Sequence, residues 1–380
     1  MRSNLFHFIP RSEVHRWALS RLLEARLLKD HGRLCTAVVI LNLVLRAAAR
    51  SISICAACRD LKRAPSDDAV MIAIEEELPK TWPVLEDRLN EALVGNWPNR
   101  LKRRAWQVAI DWHLVPYYGK PKRSKNELCY GKPERGTTKF HGYATACIVE
   151  YGRRYTLAQT WVRGSDSRVA VLRRLIGRIR NLGLKIKHLL LDRAFFNIPV
   201  ISYLKAERIR FLMPVMIRGR KPKPGRKATG LRQIRRQKAG WYPHEMKHKG
   251  ESVSVSICVC YRRHRNRKDN KQKSQKLMFA TWGVRGTPTE IRERYRKRFG
   301  IETSYRQRRE ARIYTCTEDP LVRLFFVSVG FVLRNLWVWL HHTMLSEGSE
   351  QNLKLHLERL RFRQMLEWID WEVVELLDDS

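Results

Sequence analysis

Three acidic residues stand where packing alone would not place them. Asp111 directly follows the apolar run 105–110, Asp192 directly follows the apolar run 186–191, and Glu302 lies in the strongly basic stretch 295–306. A carboxylate at the end of a buried strand needs a partner, and a divalent cation held by hard oxygen ligands suits it. Three such carboxylates converging on two ions would perform in-line displacement at a phosphodiester. His113 and His188 stand near the two aspartates and read as packing or supporting groups rather than ligands. Cys55 and Cys58 form a C-x-x-C, but no second pair follows at zinc-binding spacing, so core packing is the better reading.

The elements that must position these residues can be read from periodicity. Residues 105–115 form a strand, 141–150 and 153–162 a hairpin turning at Tyr151 and Gly152, 166–182 an amphipathic helix, and 184–191 the next strand. A short helix over 198–205 and a strand over 209–216 follow. The acidic residues thus fall at strand ends of a mixed α/β layer, where such sheets place ligands. Residues 217 to about 240 read as a basic Pro- and Gly-rich linker, and 252–261 and 277–282 as strands around a second basic loop at 262–276. One long basic helix over 287–312 then carries Glu302, with Thr287 or Thr289 as its cap and Gly300 as a soft spot. The expected division is a helical region 1–100, a core in two parts (101–216 and 286–340), an intervening linker and β insertion 217–285, and a helical region 341–380. Within the first region, residues 51–74 read as helix, turn, helix with Ser66 as a cap. This is the pattern of a DNA reader or of a plain helical hairpin, since Asp67, Asp68, Glu75, Glu76 and Glu77 suit a phosphate-lined groove poorly.

Composition narrows the partners. The 380 residues hold 75 Lys and Arg against 37 Asp and Glu, a formal net charge of +38, which points to a polyanion. The basic stretches 217–238 and 262–276 read as phosphate-tracking arms. The apolar stretch 321–340 is interrupted by Arg323 and Arg334. The uncharged run between them is too short for about 30 Å of hydrocarbon and reads as a core helix, with no membrane partner. Residue 1 onward shows no apolar leader, and scattered cysteines suit a reducing cytoplasm.

Three motifs in order carry a resemblance. Tyr295, Arg298 and Glu302 reproduce the Tyr-x2-Arg-x3-Glu part of the signature of a large family of insertion-sequence transposases of the DDE type. Residues 191–196, around Asp192, resemble its second-Asp motif, and residues 111–119, around Asp111, its first. Arg309 stands where the signature has Lys. The resemblance covers roughly residues 105–340. It implies an RNase H-like mixed-sheet core with a β-rich insertion, flanked by helical N- and C-terminal regions. It also implies two Mg²⁺ (or Mn²⁺) ions on Asp111, Asp192 and Glu302, and a homodimer acting on terminal inverted repeats and target DNA in a prokaryotic, nucleoid-associated setting. Tyr295, Arg298, Arg306 and Arg309 would then meet the scissile phosphate along one helix face, with Arg193, Lys221, Lys223 and Arg226 as further DNA contacts. In relatives an aromatic of the insertion stacks on a flipped base; Trp241 and Trp282 read better as core residues. A metal-dependent nuclease on the same fold, or a DNA-binding protein that has lost catalysis, are the rival readings. The latter should lack one carboxylate, and all three are present.

Overall fold

The computed structural model describes residues 9–95, 97–265, 272–348 and 353–378. Helices α1 (Arg11–Glu24), α2 (Ala37–Arg50), α3 (Ile54–Arg59), α4 (Asp67–Glu77) and α5 (Trp82–Val94) open the chain. The core follows as β1 (Ala105–Pro116), β2 (Cys129–Glu134), β3 (Thr137–Ile148), β4 (Thr156–Val162), α6 (Arg168–Asn181), β5 (Lys185–Leu191), α7 (Ile198–Ala206) and β6 (Phe211–Pro214). Next come α8 (Leu231–Ile234), β7 (Gly240–His248), β8 (Glu251–Arg265) and β9 (Gln272–Trp282). The chain ends with α9 (Pro288–Arg296), α10 (Phe299–Glu310), α11 (Pro320–Leu340) and α12 (Phe362–Asp378).

Among the described residues, nine strands form one mixed sheet, ordered β2-β3-β1-β5-β6-β9-β8-β7 with β4 also pairing β3. β1 pairs antiparallel with β3 and parallel with β5, and β5 pairs parallel with β6. The 189–191 end of β5 is fully buried, as a parallel strand covered on both faces should be. The hairpin between β3 and β4 turns at Gly152, whose φ of +75° is the left-handed conformation that glycine adopts without a Cβ penalty.

The helical flanks are not detached from this sheet. α1 and α2 pack on α12, and α5 packs on α11 and β4. Glu86 of α5 is fully buried, accepting hydrogen bonds from Thr160 Oγ1, the Trp161 N–H and Arg178 Nη2, each at 2.9 Å. That carboxylate ties the N-terminal helices to β4 and α6. α11 and the turn after it, Pro320–Leu345, are long and apolar enough to cross a membrane, yet 89% of the apolar window is buried inside the fold.

Several sequence expectations change. The helix expected over 287–312 is two helices, α9 and α10. Between them, the N–H groups of Lys297, Arg298, Gly300 and Ile301 bond three residues back, a tight turn that redirects the chain. Gly300 fits here because a Cβ would meet Arg154 Nε at 3.1 Å and Val149 Cβ at 3.5 Å. The basic linker holds α8 and a tight Lys223–Arg226 bridge, and β7 begins at Gly240. The second basic loop is largely strand, since the β8–β9 ladder continues through Arg265↔Gln272; residues 266–271 of that loop lie outside the described residues. β9 pairs with β6, so the insertion prolongs the core sheet. β2 went unrecognised because its Gly-Lys-Pro sequence lacks strand periodicity. Ser66 caps α4 as expected. However, α4 faces its own protein: Glu75 accepts from Thr317 Oγ1 and lies 3.7 Å from Lys122, and Glu77 lies 3.2 Å from His31.

Candidate active site

The parallel register sets the first two carboxylates side by side. Ile110 is level with Leu191, and Asp111 and Asp192 are the next residues along the chain from that pair. Asp111 continues in β1, one Oδ accepting its neighbour's backbone N–H at Trp112. Asp192 leaves the sheet and caps a turn of 3-10 helix, Arg193–Phe195, by accepting the Ala194 N–H at 2.9 Å. Capping at this point follows from the chain's need to satisfy free N–H groups where a strand gives way to a helical turn.

Glu302 arrives from the first turn of α10. Arg298, just before that helix, links it to the sheet: Nη1 donates to Asp111 Oδ2 at 3.1 Å and Nη2 to Glu302 Oε1 at 2.5 Å. The guanidinium is largely buried between them. Burial works to lower its pKa, but Tyr295, Asp111, Glu302 and Asp192 together hold it above its ordinary value. Burial pushes the Asp111 carboxyl up, against the pull of Arg298 and the Trp112 N–H, and Asp192 adds to the rise. Among the described residues no three His, Cys, Asp or Glu side chains converge as a ready-made metal cage. Here Asp111 and Glu302 turn to one guanidinium instead.

Two tyrosines brace this arrangement. The Tyr295 hydroxyl donates to the Leu191 carbonyl at 3.3 Å, and its ring packs on Phe279. It therefore pins α9 to the end of β5. Tyr305 was not singled out from sequence, although it lies one helical turn after Glu302. Its buried hydroxyl bonds the Asp111 carbonyl at 3.0 Å and Thr145 Oγ1 at 2.8 Å, and its ring stacks on His113 at 5.0 Å. Arg308 was also missed; it donates to His113 Nε2 at 2.9 Å.

The other expected contacts are dispersed. Arg193 is exposed beside Asp192, and Lys221, Lys223 and Arg226 are exposed on the turn before α8. Arg306 is exposed on α10, whereas Arg309 lines a cavity beyond His113 rather than the carboxylate cluster. His188 is buried with Nε2 unpartnered, in the middle of β5. Trp241 is half-exposed and donates to the Gly286 carbonyl, while Trp282 packs against the core.

Sequence comparison with curated proteins finds no match. Among solved structures, the cryo-EM piggyBac transposase synaptic complex with hairpin DNA is similar, with a TM-score of 0.57 at 12% identity, covering 98% of this chain and 79% of that one. At that identity the likeness bears on fold, and it identifies the mixed sheet as RNase H-like. Residues 102–316 match the profile of the transposase DDE domain. That span includes all three carboxylates and more than half of the chain, so this protein belongs to the DDE transposase family.

Proposed function

We propose that the chain is a DNA transposase that cuts phosphodiesters at the ends of a mobile element and joins the freed 3′-OH to target DNA. Asp111, Asp192 and Glu302 are its catalytic carboxylates. The observation that carries this reading is Arg298 bridging Asp111 to Glu302, beside the strand register that sets Asp192 next to Asp111.

The donor set suits a hard divalent cation. It is all carboxylate oxygen, and in this structure a guanidinium stands in as the cation between two of its members. DDE transposases in general use divalent metals; here Asp111, Asp192 and Glu302 would hold two Mg²⁺ or Mn²⁺ ions. Bound there, the ions would activate the attacking water or 3′-OH and neutralise charge on the leaving oxygen. The protein's own groups do the positioning. Tyr305 fixes the Asp111 backbone, and Tyr295 fixes the end of the strand that delivers Asp192. Arg298 aims two carboxylates, and its planar fork can also grip a phosphate oxygen pair. In the first step a water oxygen bonds to phosphorus, the P–O3′ bond breaks, and a 3′-OH and a 5′-phosphate result. In the second, that 3′-OH displaces a 3′ oxygen in the target strand.

The same reading gives Arg193, Lys221, Lys223 and Arg226 to the DNA backbone, places a homodimer on paired ends, and sets the work on nucleoid DNA in the cytoplasm. The test is a supercoiled plasmid bearing the element's ends, incubated with the protein and Mg²⁺ and scored for nicked ends and joined products. Asp111→Asn, Asp192→Asn and Glu302→Gln should each abolish cleavage and leave DNA binding intact. A variant that still cuts removes its residue from the site. Cutting without joined products would make the protein a nuclease.

A further inference from the structure

β1 and α10 leave the carboxylates in the same direction, and a second charged region lies further along their seam. Asp111 and His113 are two residues apart on β1 and share a sheet face; Glu302 and Arg308 are six apart on α10. His113 and Arg308 meet at 2.9 Å, and beyond them opens a cavity of about 300 Å³. Arg135, Arg308, Arg309, Arg312 and Arg323 line it against one acid, Glu134. Among the described residues none of these five arginines has a carboxylate in ion-pair reach.

Arg308 at the floor is the sharpest anomaly. Its residue is only 4% exposed, one Nη meets the neutral His113 ring, its ring contact is the face of Phe331, and Nε has no partner. His141, in the same wall, is 1% exposed with both ring nitrogens unpartnered. A buried guanidinium without an anion is strongly unfavourable. Several arginines around a cavity with unspent hydrogen-bond donors fit a phosphate, which Arg recognises through its fork of N–H groups. Arg309 and Arg312 are exposed at the rim, and Arg312 lies over the exposed Tyr314 ring at 4.6 Å, so the opening faces solvent.

We propose that this cavity seats a DNA backbone phosphate one or two nucleotides from the one being cut, with Arg308 beneath it and Arg312, Arg323 and Arg135 around it. Two residues along a strand span about 7 Å, and six along a helix about 9 Å. Successive charges on one DNA strand rise ~3.4 Å along the axis while also winding around it, so neighbours stand about as far apart as two strand residues, which sets the offset at one or two steps. The inference rests on the reading of the chain as a DNA-cutting enzyme, but uses arginines outside its signature positions.

The test is equilibrium binding in EDTA, so that cutting plays no part. The probe is a labelled duplex carrying one element end, with a neutral methylphosphonate moved along the strand one position at a time. Wild-type protein should lose about tenfold in affinity when the first or second phosphate from the cut is neutral. Arg312→Gln and Arg323→Gln, at the rim and wall, should fold and be insensitive to that substitution. Their salt dependence on the unmodified duplex should fall by about one counterion. A flat scan, or variants whose affinity and salt slope match wild type, would overturn the proposal. So would a flat scan combined with thermal stabilisation by inorganic pyrophosphate that Arg312→Gln abolishes, since the site would then serve a free phosphorylated ligand. Cleavage surviving in the carboxamide variants would remove the catalytic assignment while leaving the binding result standing.

Discussion

Arg298 and Arg308 lie ten residues apart in one segment, and both are buried. Arg298 has its counter-ions built in, bridging Asp111 and Glu302, and is held above its ordinary pKa. Arg308 finds a neutral imidazole and an aromatic face, and burial, with Arg312 and Arg309 nearby, pulls it down to about 10. The first arginine belongs to an internally balanced cluster; the second leaves a positive charge unbalanced until something anionic arrives. Glu86 shows the balanced case for an acid, since three donors meet its fully buried carboxylate.

The most forceful way to break this comparison is to remove each guanidinium in turn. Arg298→Met should destabilise the protein by about 3–5 kcal/mol, because it strands the buried Asp111 without its cation. Urea unfolding measures this, and a variant as stable as wild type would show that the bridge is dispensable. Acid titration probes the other region. Burial, aided by Arg323, lowers His141 to about 3. The unfolded chain takes up that proton below about pH 6.5 and the folded chain does not, so stability is full above pH 6.5 and declines as pH falls toward 3. His141→Phe should flatten the decline by roughly 1.4 kcal/mol per pH unit; an unchanged slope between pH 6 and 4 would mean that His141 titrates normally.

Arg308→Met should act with the opposite sign to Arg298→Met. Exchanging an unbalanced buried charge for a hydrophobe of similar length should raise stability by about 1–2 kcal/mol while weakening DNA binding. A stability loss as large as that of Arg298→Met would erase the distinction between the two arginines. The smallest effect belongs to Arg309→Lys, at the exposed rim, which restores the residue of the family signature. It should change stability by less than about 0.5 kcal/mol and leave cleavage near wild type; a marked loss would mean that the fork geometry at this position matters.

Much of the site could be read locally. Asp111 and Asp192 stand out because each ends an apolar run, and strand alternation and burial are properties of neighbouring residues. Glu302 stands out by its motif, and the core strands and α6 by period and turn chemistry. The 252–261 and 277–282 parts of β8 and β9 were legible by alternation, but their extension over 262–265 and 272–276 was not, because basic composition there outweighs any periodic signal and only the partner strand shows that it is sheet. At the break between α9 and α10 the sequence offers Gly300 only as a soft spot; that Val149 and Arg154 leave little room there for a Cβ is a tertiary fact.

By itself, then, the amino-acid order, through its motifs and their family resemblance, indicated the fold class, singled out three candidate carboxylates in order, and pointed to a polyanion partner through the +38 charge. Only the tertiary structure decided how charge is balanced. Arg298 reaches Asp111 across 187 residues, and Arg308 reaches His113 across 195. Both are arginines on a basic segment, indistinguishable by composition. What separates them is whether folding delivers a carboxylate to the buried end of each, since the cost of a buried charge depends on its three-dimensional neighbours rather than on its sequence.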